Sequence, residues 1–576
     1  MNTLVIVLIA AVVLVCAYAG YGRWLAKTWG VDPNAKTPAV RLEDDKDYVP
    51  TNGWTVFAHQ FSSIAGAGPV TGAIQAAAFG WLPVLLWVLI GGVFFGAVTD
   101  FGALYASAKN DGKSMGLLIE KYIGKTGRKL FLLFCWLFCG IVIAAFADMV
   151  AGTFNAFDAE GAPVEAAFTN GAAGMVSIMF MVFAVVFGFI QKKFNFSGWR
   201  EAVIGIVFIV LSFAVGMNCP LVFGKAAWSY ITFVYIFFAA VLPMWMLKQP
   251  RDYMTTFMFG AMIAGAVIGL LVAHPTMNLP VFTGFNNAKL GTMFPILFVT
   301  VACGAVSGFH SLVSSGTSSK TVENEKDMLK VGYGAMVLES LLAVLALCVA
   351  GAAAAADGTP ATGTPFQIFS RGVAGFFEMF GVPVSIATVF MTMCVSALAL
   401  TSLDAVARIG RMSFQELFSV DDMEHAEGWR KLCCNVYFST FITLVFGFIL
   451  TQIGYANIWP LFGSANQLLS ALVLATLCVF LKVTGRNNKM LFPPLVIMLC
   501  VTFTALVQRL IAMVKAISAA ASTAIPAGET TWGAVFIANG LQLILAVLLI
   551  VLGLNIVFHS VKSYTTCDAP EAKATV

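Results

Sequence analysis

Apolar residues follow one another along this chain in long blocks that short polar segments separate. A helix needs about 20 mostly apolar residues to cross the hydrocarbon core of a bilayer. By that measure the pattern predicts an all-α polytopic membrane protein with about fifteen membrane-spanning helices, within a range of roughly 14 to 16. The predicted starts lie near residues 2, 53, 81, 128, 170, 199, 226, 255, 292, 331, 383, 433, 458, 491 and 531.

The composition fits the same class. Hydrophobic residues make up 59% and charged residues 11% of the 576 positions, whereas about 25% of the residues in a soluble domain are charged. The 12 cysteines form no C-x-x-C pair, so neither a disulfide framework nor a structural zinc site is expected. We expect no cofactor and no nucleic-acid partner, and the sequence leaves the oligomeric state open.

Basic residues separate onto alternate loops. All but five of the 33 lysines and arginines fall on one side when every second loop is taken; the five are Lys225, Lys289, Arg371, Arg509 and Lys515. Cytoplasmic loops are enriched in basic residues, so the pattern predicts an N-terminus outside and a C-terminus inside the cytoplasmic (inner) membrane. We divide the chain into four parts: residues 1–52 (first helix and cytoplasmic loop), 53–291 (first inverted repeat with extra helices), 292–482 (second inverted repeat) and 483–576 (C-terminal peripheral helices and tail).

A polar cluster interrupts the second predicted span at FAHQFSSIAGAGPV, residues 57–70. Its glycines and proline weaken the helix, and a broken helix frees backbone groups that lipid cannot satisfy. The alternative is that the glycines only allow close helix packing; the accompanying polar side chains favour a binding site. The candidate substrate-binding residues here are His59, Gln60, Ser62, Ser63, Gly66 and Gly68.

A similar interruption, CGAVSGFHSLVSSGTSSK at residues 303–320, lies in the ninth predicted span. That span crosses the bilayer in the opposite direction. Two breaks of opposite direction are typical of inverted-repeat secondary transporters, in which half-helix N-termini face anionic groups and freed carbonyls hold cations. The candidate substrate-binding residues of this second break are Phe309, His310, Ser311, Ser314 and Ser315.

Other polar residues within spans are candidates for ion coupling, with H⁺ or Na⁺ as the coupling ion. Thr401 and Ser402 offer two adjacent hydroxyls to a cation, or they satisfy themselves on their own helix. Asp404 either adds charge to that site or pairs with Arg408 one turn on, and we favour the pair. The remaining candidates are Asp148, as an ionisable group within a span, and Glu339, as a proton carrier or a partner for a cationic side chain.

Three further polar residues are assigned structural roles. Asp100 lies nearer the basic edge of its span, where it either gates or acts as an anchor, and we favour the anchor. Asn466 and Gln467 follow the segment WPLFG, and we expect their amides to hydrogen-bond a neighbouring broken helix.

Several long segments resemble the carbon starvation protein A family. They include DYVPTNGWTVFAHQFSSIAGAGPVTGA, GFHSLVSSGTSSK, TSLDAVARIGRMSFQEL and WPLFGSANQLLSALVLA, and the matching text spreads from residue 32 to about residue 475. The resemblance implies a secondary transporter with a five-plus-five inverted repeat, related to the amino acid, polyamine and organocation superfamily. It also implies import of peptides or of pyruvate when preferred carbon runs short. Seven span steps separate the two breaks here instead of five, so either two extra helices lie between them or the count of spans is too high by a pair.

The expected function is therefore coupled uptake of a small carboxylate or a short peptide. A channel would also need polar residues at mid-membrane, although paired inverted breaks argue against it. A nutrient sensor without net flux is a further alternative. An intramembrane protease built on Asp100 and Asp148 is disfavoured, because the sequence contains neither GxGD nor HExxH, and we expect no enzymatic activity.

Overall fold

The computed structural model describes residues 2–44, 48–158, 160–194, 198–243, 245–288, 290–420, 427–522 and 532–567. Within them, 11 helices are long and apolar enough to cross a membrane, or up to 12 if the bent pair Gly428–Cys434 and Val436–Thr451 counts as one span. This confirms a helical, multi-pass protein. The 11 helices are α1 (Thr3–Trp29), α3 (Trp81–Ala108), α4 (Lys125–Phe154), α5 (Ala167–Phe194), α6 (Trp199–Asn218), α8 (Lys248–Ala273), α10 (Glu325–Ala353), α12 (Val384–Phe418), α14 (Tyr455–Val483), α15 (Lys489–Ala519) and α16 (Ala538–Thr566).

The other predicted spans coincide with shorter or broken helices. Two are short, namely α7 (Lys225–Val241) and α13 (Val436–Thr451). Two are broken: α2a (Gly53–Ile64) continues as α2b (Ala67–Ala76), and α9a (Met293–Thr300) continues as α9b (Gly308–Gly316). The start of α8 differs from the predicted one, because the helix begins at Lys248 and not near residue 255.

Smaller elements lie between these helices. A helix, α11 (Pro365–Glu378), follows α10; Pro365 starts it, and Thr364 and Gln367 form a reciprocal capping box. Two short strands, β1 (Asn286–Asn287) and β2 (Gly291–Thr292), pair antiparallel before α9a. The short helices of the loops are Pro38–Arg41, Met115–Tyr122 and Gly428–Cys434.

The loops gather on two faces of the helical body. On one, which we call the basic face, residues 36 and 51 bridge to residues 324 and 322. On the other, which we call the opposite face, the backbone N–H groups of Thr3 and Trp81 donate to the carbonyls of Pro275 (3.0 Å) and Pro280 (3.1 Å). α2 therefore begins at the basic face, whereas α9 begins at the opposite face. The two broken helices run in opposite directions, as predicted.

Burial separates core helices from peripheral ones. The most apolar stretch of α14 is 100% buried, and those of α4 and α10 are each 83% buried, whereas the values for α6 and α1 are 17% and 28%. The exposed sides of the peripheral helices carry apolar residues such as Val12 and Val210. Apolar side chains on an outer face suit a lipid environment. The polar residues singled out above are thereby concentrated inside the body.

Candidate functional site

The first break falls at Ala65 and Gly66. Ala65 leaves helical geometry (φ −69°, ψ 65°), and Gly66 is extended (φ −84°, ψ −157°) as the N-cap of α2b. The second break is longer and occupies residues 301–307 between α9a and α9b. Both breaks leave backbone groups outside the helical ladder, which must then find partners within the protein.

The two breaks pack directly against each other. A Cβ added at Gly68 would lie 2.3 Å from the Sγ atom of Cys303. A Cβ at Gly66 would lie 2.2 Å from the hydroxyl oxygen of Ser402 on α12. A side chain at either position would force Cys303 or Ser402 to move, so glycine allows this close approach. The two interruptions therefore meet inside the helical body.

A narrow cavity lies where the breaks meet. It has room for about one water molecule in this conformation, so a larger solute requires helix or side-chain movement. Three polar groups reach it from α9, α12 and α14, and most of the wall is aromatic or aliphatic. The lining residues are Ile64, Gly66, Gly68, Phe138, Val142, Phe146, Cys303, Phe309, Ser402, Val406, Phe462 and Asn466.

Amide side chains from α14 hold the second break in place. The Oδ1 atom of Asn466 accepts the backbone N–H of Phe309 (3.1 Å), and its Nδ2 atom donates to the hydroxyl of Ser307 (3.0 Å). The Nε2 atom of Gln467 donates to the carbonyl of Phe298 at the end of α9a (2.7 Å). The predicted role of both amides, bonding to a broken helix, is confirmed.

Polar side chains also join α2a to α9b on the basic-face side of the cavity. The Nε2 atom of Gln60 donates to the Ser314 hydroxyl (2.8 Å), and the Oε1 atom of Gln60 accepts a hydrogen bond from the Ser318 hydroxyl (2.5 Å). Ser62 and Ser315 donate to carbonyls within their own helices, those of His59 and Ser311.

Two other predicted hydroxyls of α2a and α9b differ from those of Ser62 and Ser315 in having no hydrogen-bond partner in the described part of the chain. The hydroxyls of Ser63 and Ser311 are buried, and neither has a hydrogen-bond partner among the described residues. They are therefore available to a ligand or to water that enters this region.

The two histidines of the breaks occupy different environments. His59 lies six residues before the first break at Ala65, and the charges of Lys248 and Asp252 at the start of α8 act on it. It does not line the cavity between the breaks. His310 lies in the first turn of α9b and is completely buried. The similarity of the two sequence segments does not bring these side chains together.

His310 lies between two acidic side chains from different helices. Its Nδ1 atom is 3.1 Å from the Oδ2 atom of Asp100 on α3, and its Nε2 atom is 3.4 Å from the Oε2 atom of Glu339 on α10. All three side chains are 0% exposed. We call Asp100, His310 and Glu339 the buried triad. Asp100 is therefore not an anchor at the basic edge, because it points inward at His310.

The hydroxyl pair on α12 divides between two roles. The Thr401 hydroxyl donates to the carbonyl of Ala397 on its own helix (2.8 Å), the self-satisfied alternative. Ser402 faces the first break at Gly66.

Asp404 forms a buried ion pair, but not with the predicted partner. It pairs with Arg251 on α8 and accepts a hydrogen bond from the Tyr235 hydroxyl on α7 (2.8 Å). Arg408 instead donates to the carbonyls of Ala239 and Leu242 near the end of α7. The predicted pair of Asp404 with Arg408 is wrong because tertiary packing offers each side chain a partner on another helix.

Asp148 lies near the opposite-face end of α4. One oxygen accepts the backbone N–H of Tyr455 at the start of α14 (2.9 Å), and the other is 2.7 Å from the Nζ atom of Lys225 on α7. This carboxylate therefore joins three helices and is not among the residues that line the cavity.

Besides having two oppositely directed broken helices around a buried cavity, the chain matches a family model over most of its length. The model of the family described as "Carbon starvation protein CstA" matches residues 2–362 and 351–505. The chain belongs to the CstA family.

Relatives in the CstA family carry transporter names. The peptide transporter CstA of Escherichia coli is 31% identical over 588 aligned residues, which cover 88% of this chain and 80% of that protein. The pyruvate/proton symporter BtsT of the same organism is 36% identical over 364 residues, covering 61% of this chain and 49% of that protein. Among solved structures, a manganese transporter of Eremococcus coleocola aligns over 91% of this chain and 99% of its own, with a TM-score of 0.49 and 10% identity.

Proposed function

We propose that this protein is a secondary active transporter that imports a small carboxylate such as pyruvate, or a short peptide, together with a proton or a sodium ion. The observation that carries the proposal is the contact of two oppositely directed broken helices around one buried cavity. Such discontinuous helices form the substrate and ion sites of inverted-repeat transporters. The names of the CstA-family relatives support the two substrate classes.

The proposal includes the membrane topology. We propose that α2, α7, α9 and α13 also cross the bilayer, which makes fifteen spans, with the basic face in the cytoplasm. The N-terminus then lies outside and the C-terminus inside the cytoplasmic membrane. Residues 53–291 and 292–482 would form the two inverted repeats, and the first contains two additional helices.

Helix N-termini provide the proposed recognition of a carboxylate. α2b and α9b both begin at the breaks, and their N-cap residues Gly66 and Ser307 make no side-chain capping hydrogen bond within the described residues. At α9b one N–H, that of Phe309, already donates to Asn466. The N-terminus of a helix carries a partial positive charge and free N–H groups, which favour an anion. The aromatic rings around the cavity suit a substrate with an apolar end. A peptide would require a wider opening of the same site than pyruvate would.

A cation site is proposed beside the first break. Ser402 already faces Gly66, where carbonyls are freed from α2a. Thr401 would join it through the lone pairs that its hydroxyl keeps while it donates to the carbonyl of Ala397. Oxygen atoms of this kind are suitable ligands for Na⁺, and a proton-coupled carrier would not need them. We further propose that uptake serves the cell when preferred carbon runs short.

Uptake into proteoliposomes tests the proposal. Labelled pyruvate and a labelled dipeptide are each offered with an imposed proton gradient, a sodium gradient or neither, and an ionophore that collapses the gradient is the control. We expect saturable accumulation of at least one substrate above its external concentration under one gradient. Saturating flux that never exceeds equilibrium would favour a channel. Substrate binding without flux would favour a sensor, and neither substrate moving or binding would refute the proposal.

A further inference from the structure

We propose that the buried triad of Asp100, His310 and Glu339 is the proton-carrying site that couples proton movement to substrate movement. The inference rests on the proposed transport function and extends it, because it names the coupling ion and the groups that hold it. It comes from a juxtaposition of three helices: α3, α9b and α10 each contribute one titratable side chain to a fully buried cluster.

The unsatisfied atoms of the triad argue against a purely structural role. Neither oxygen of Glu339, nor the Nε2 atom of His310, nor the Oδ1 atom of Asp100 has a hydrogen-bond partner in the described part of the chain. Buried polar groups with a structural role are almost always hydrogen-bonded. The Nε2 atom of His310 and the Oε2 atom of Glu339 face each other at 3.4 Å, and the two remaining carboxylate oxygens have no partner among the described residues. We therefore take the cluster as a site that changes its protonation or its partners during function.

The protons of the triad can be counted. With both carboxylates ionised and the imidazole neutral, the net charge is two negative units, which a buried site cannot hold without large cost. One added proton, shared between His310 and the carboxylates, leaves one negative charge. A second proton, which forms an O–H bond on Glu339 or Asp100, makes the site neutral. The transported proton is this second one, taken from water on the opposite face and returned to water on the basic face.

Titratable groups on the surrounding helices are mostly engaged elsewhere. The thiol of Cys303 in the second break accepts a hydrogen bond from the Asn466 amide (3.4 Å). The others have partners away from the triad. Tyr105 and Tyr333 donate to backbone carbonyls, and Tyr18 packs on Tyr333. Lys109 pairs with Glu325, and the charged residues of α8 lie with Asp404 and near His59. A proton arriving at this level of the membrane therefore has the triad as its acceptor.

The triad is next to the cavity, because His310 and the cavity-lining Phe309 are neighbours in the sequence. His310 follows Phe309, whose ring lines the cavity and whose N–H is held by Asn466. A negatively charged triad beside the N-terminus of α9b opposes the binding of a carboxylate there, and a neutral triad does not. Substrate anion and proton consequently bind together, and no net charge moves when one of each crosses.

The test compares Glu339→Gln with Glu325→Gln in proteoliposomes. Gln keeps the shape of the side chain but cannot carry the proton, and Glu325 is a buried acid of the basic face that pairs with Lys109 (2.6 Å). Two readouts are measured with labelled pyruvate and a labelled dipeptide: exchange against internal substrate at equal pH, and accumulation driven by a pH difference. For one proton per substrate anion, each pH unit drives about tenfold accumulation.

We expect Glu339→Gln to retain exchange and to lose accumulation, and we expect Glu325→Gln to retain both. Gradient-driven accumulation by Glu339→Gln at the wild-type level would overturn the inference. A wild type that neither exchanges nor accumulates either substrate would instead refute the proposed transport function.

Infrared spectroscopy tests the triad without any transport. We expect the purified wild type to show a carboxylic-acid C=O band that titrates with pH, and we expect Glu339→Gln or Asp100→Asn to remove or shift it. A spectrum unchanged by both substitutions would contradict the inference. This measurement also decides the matter for a variant that has lost exchange altogether.

Discussion

The buried ion pair between Arg251 and Asp404 allows a quantitative test of whether Asp404 is structural. The side chains are 3% and 1% exposed. Removing one partner of a buried pair costs about 3–5 kcal/mol, because the other charge is left uncompensated. We therefore expect Arg251→Met to lower the free energy of unfolding by about 3–5 kcal/mol. Asp404→Asn should cost less, because Arg251 keeps Asp252 at 3.0 Å and the amide still accepts from Tyr235.

The double variant Arg251→Met with Asp404→Asn makes the prediction specific. It removes both charges, so its loss of stability should be smaller than the sum of the two single losses by about 0.5–3 kcal/mol. Equilibrium unfolding in detergent measures the free energy of unfolding of the wild type, the two single variants and the double variant. The control is Arg41→Met, since Arg41 pairs with Asp111 at 2.7 Å but both side chains are about half exposed, and such a pair contributes about 0–1 kcal/mol.

Two results would refute this reasoning. One is an Arg251→Met protein as stable as the wild type, and the other is a double variant whose loss equals the sum of the single losses. If Asp404→Asn leaves stability unchanged and removes ion-coupled uptake, Asp404 belongs to the coupling machinery and not to the scaffold.

The remaining predictions concern the two breaks. Gly66→Val should abolish transport while the protein still inserts, because its Cβ would lie 2.2 Å from the Ser402 hydroxyl oxygen. Gly152→Ala is the control, since a Cβ there meets no described atom within 4 Å. Normal uptake by Gly66→Val would contradict the packing. Asn466→Ala should destabilise the protein by about 1–3 kcal/mol, because it leaves buried partners on the second break unpaired; an unchanged unfolding midpoint would count against that role. Thr401→Val combined with Ser402→Ala should remove any sodium dependence of uptake, and a strictly proton-driven wild type would rule out the sodium site.

The location of the candidate site followed from the order of residues along the chain. The two polar interruptions could be recognised because glycine, proline and hydroxyl residues stand out in an apolar span, and alternating basic loops gave their directions. The amides of Asn466 and Gln467 were also assigned correctly, because a buried amide next to a broken helix has few other partners. These properties depend on local composition and on the thickness of the bilayer, so they can be predicted from the sequence without knowing which helices are neighbours.

The pairing of charged side chains could not be read in this way. His59 and His310 have similar neighbours in sequence, yet only His310 is enclosed by acids, since the side chains of Asp100 and Glu339 point at the start of α9b. Asp404 has Arg408 one turn away and still pairs with Arg251, more than 150 residues distant. The amino-acid sequence by itself determined a helical membrane protein with two opposed breaks, because hydropathy and helix-breaking residues act locally. Only the tertiary structure decided which buried charges meet, because that depends on how each helix is rotated and packed against its neighbours.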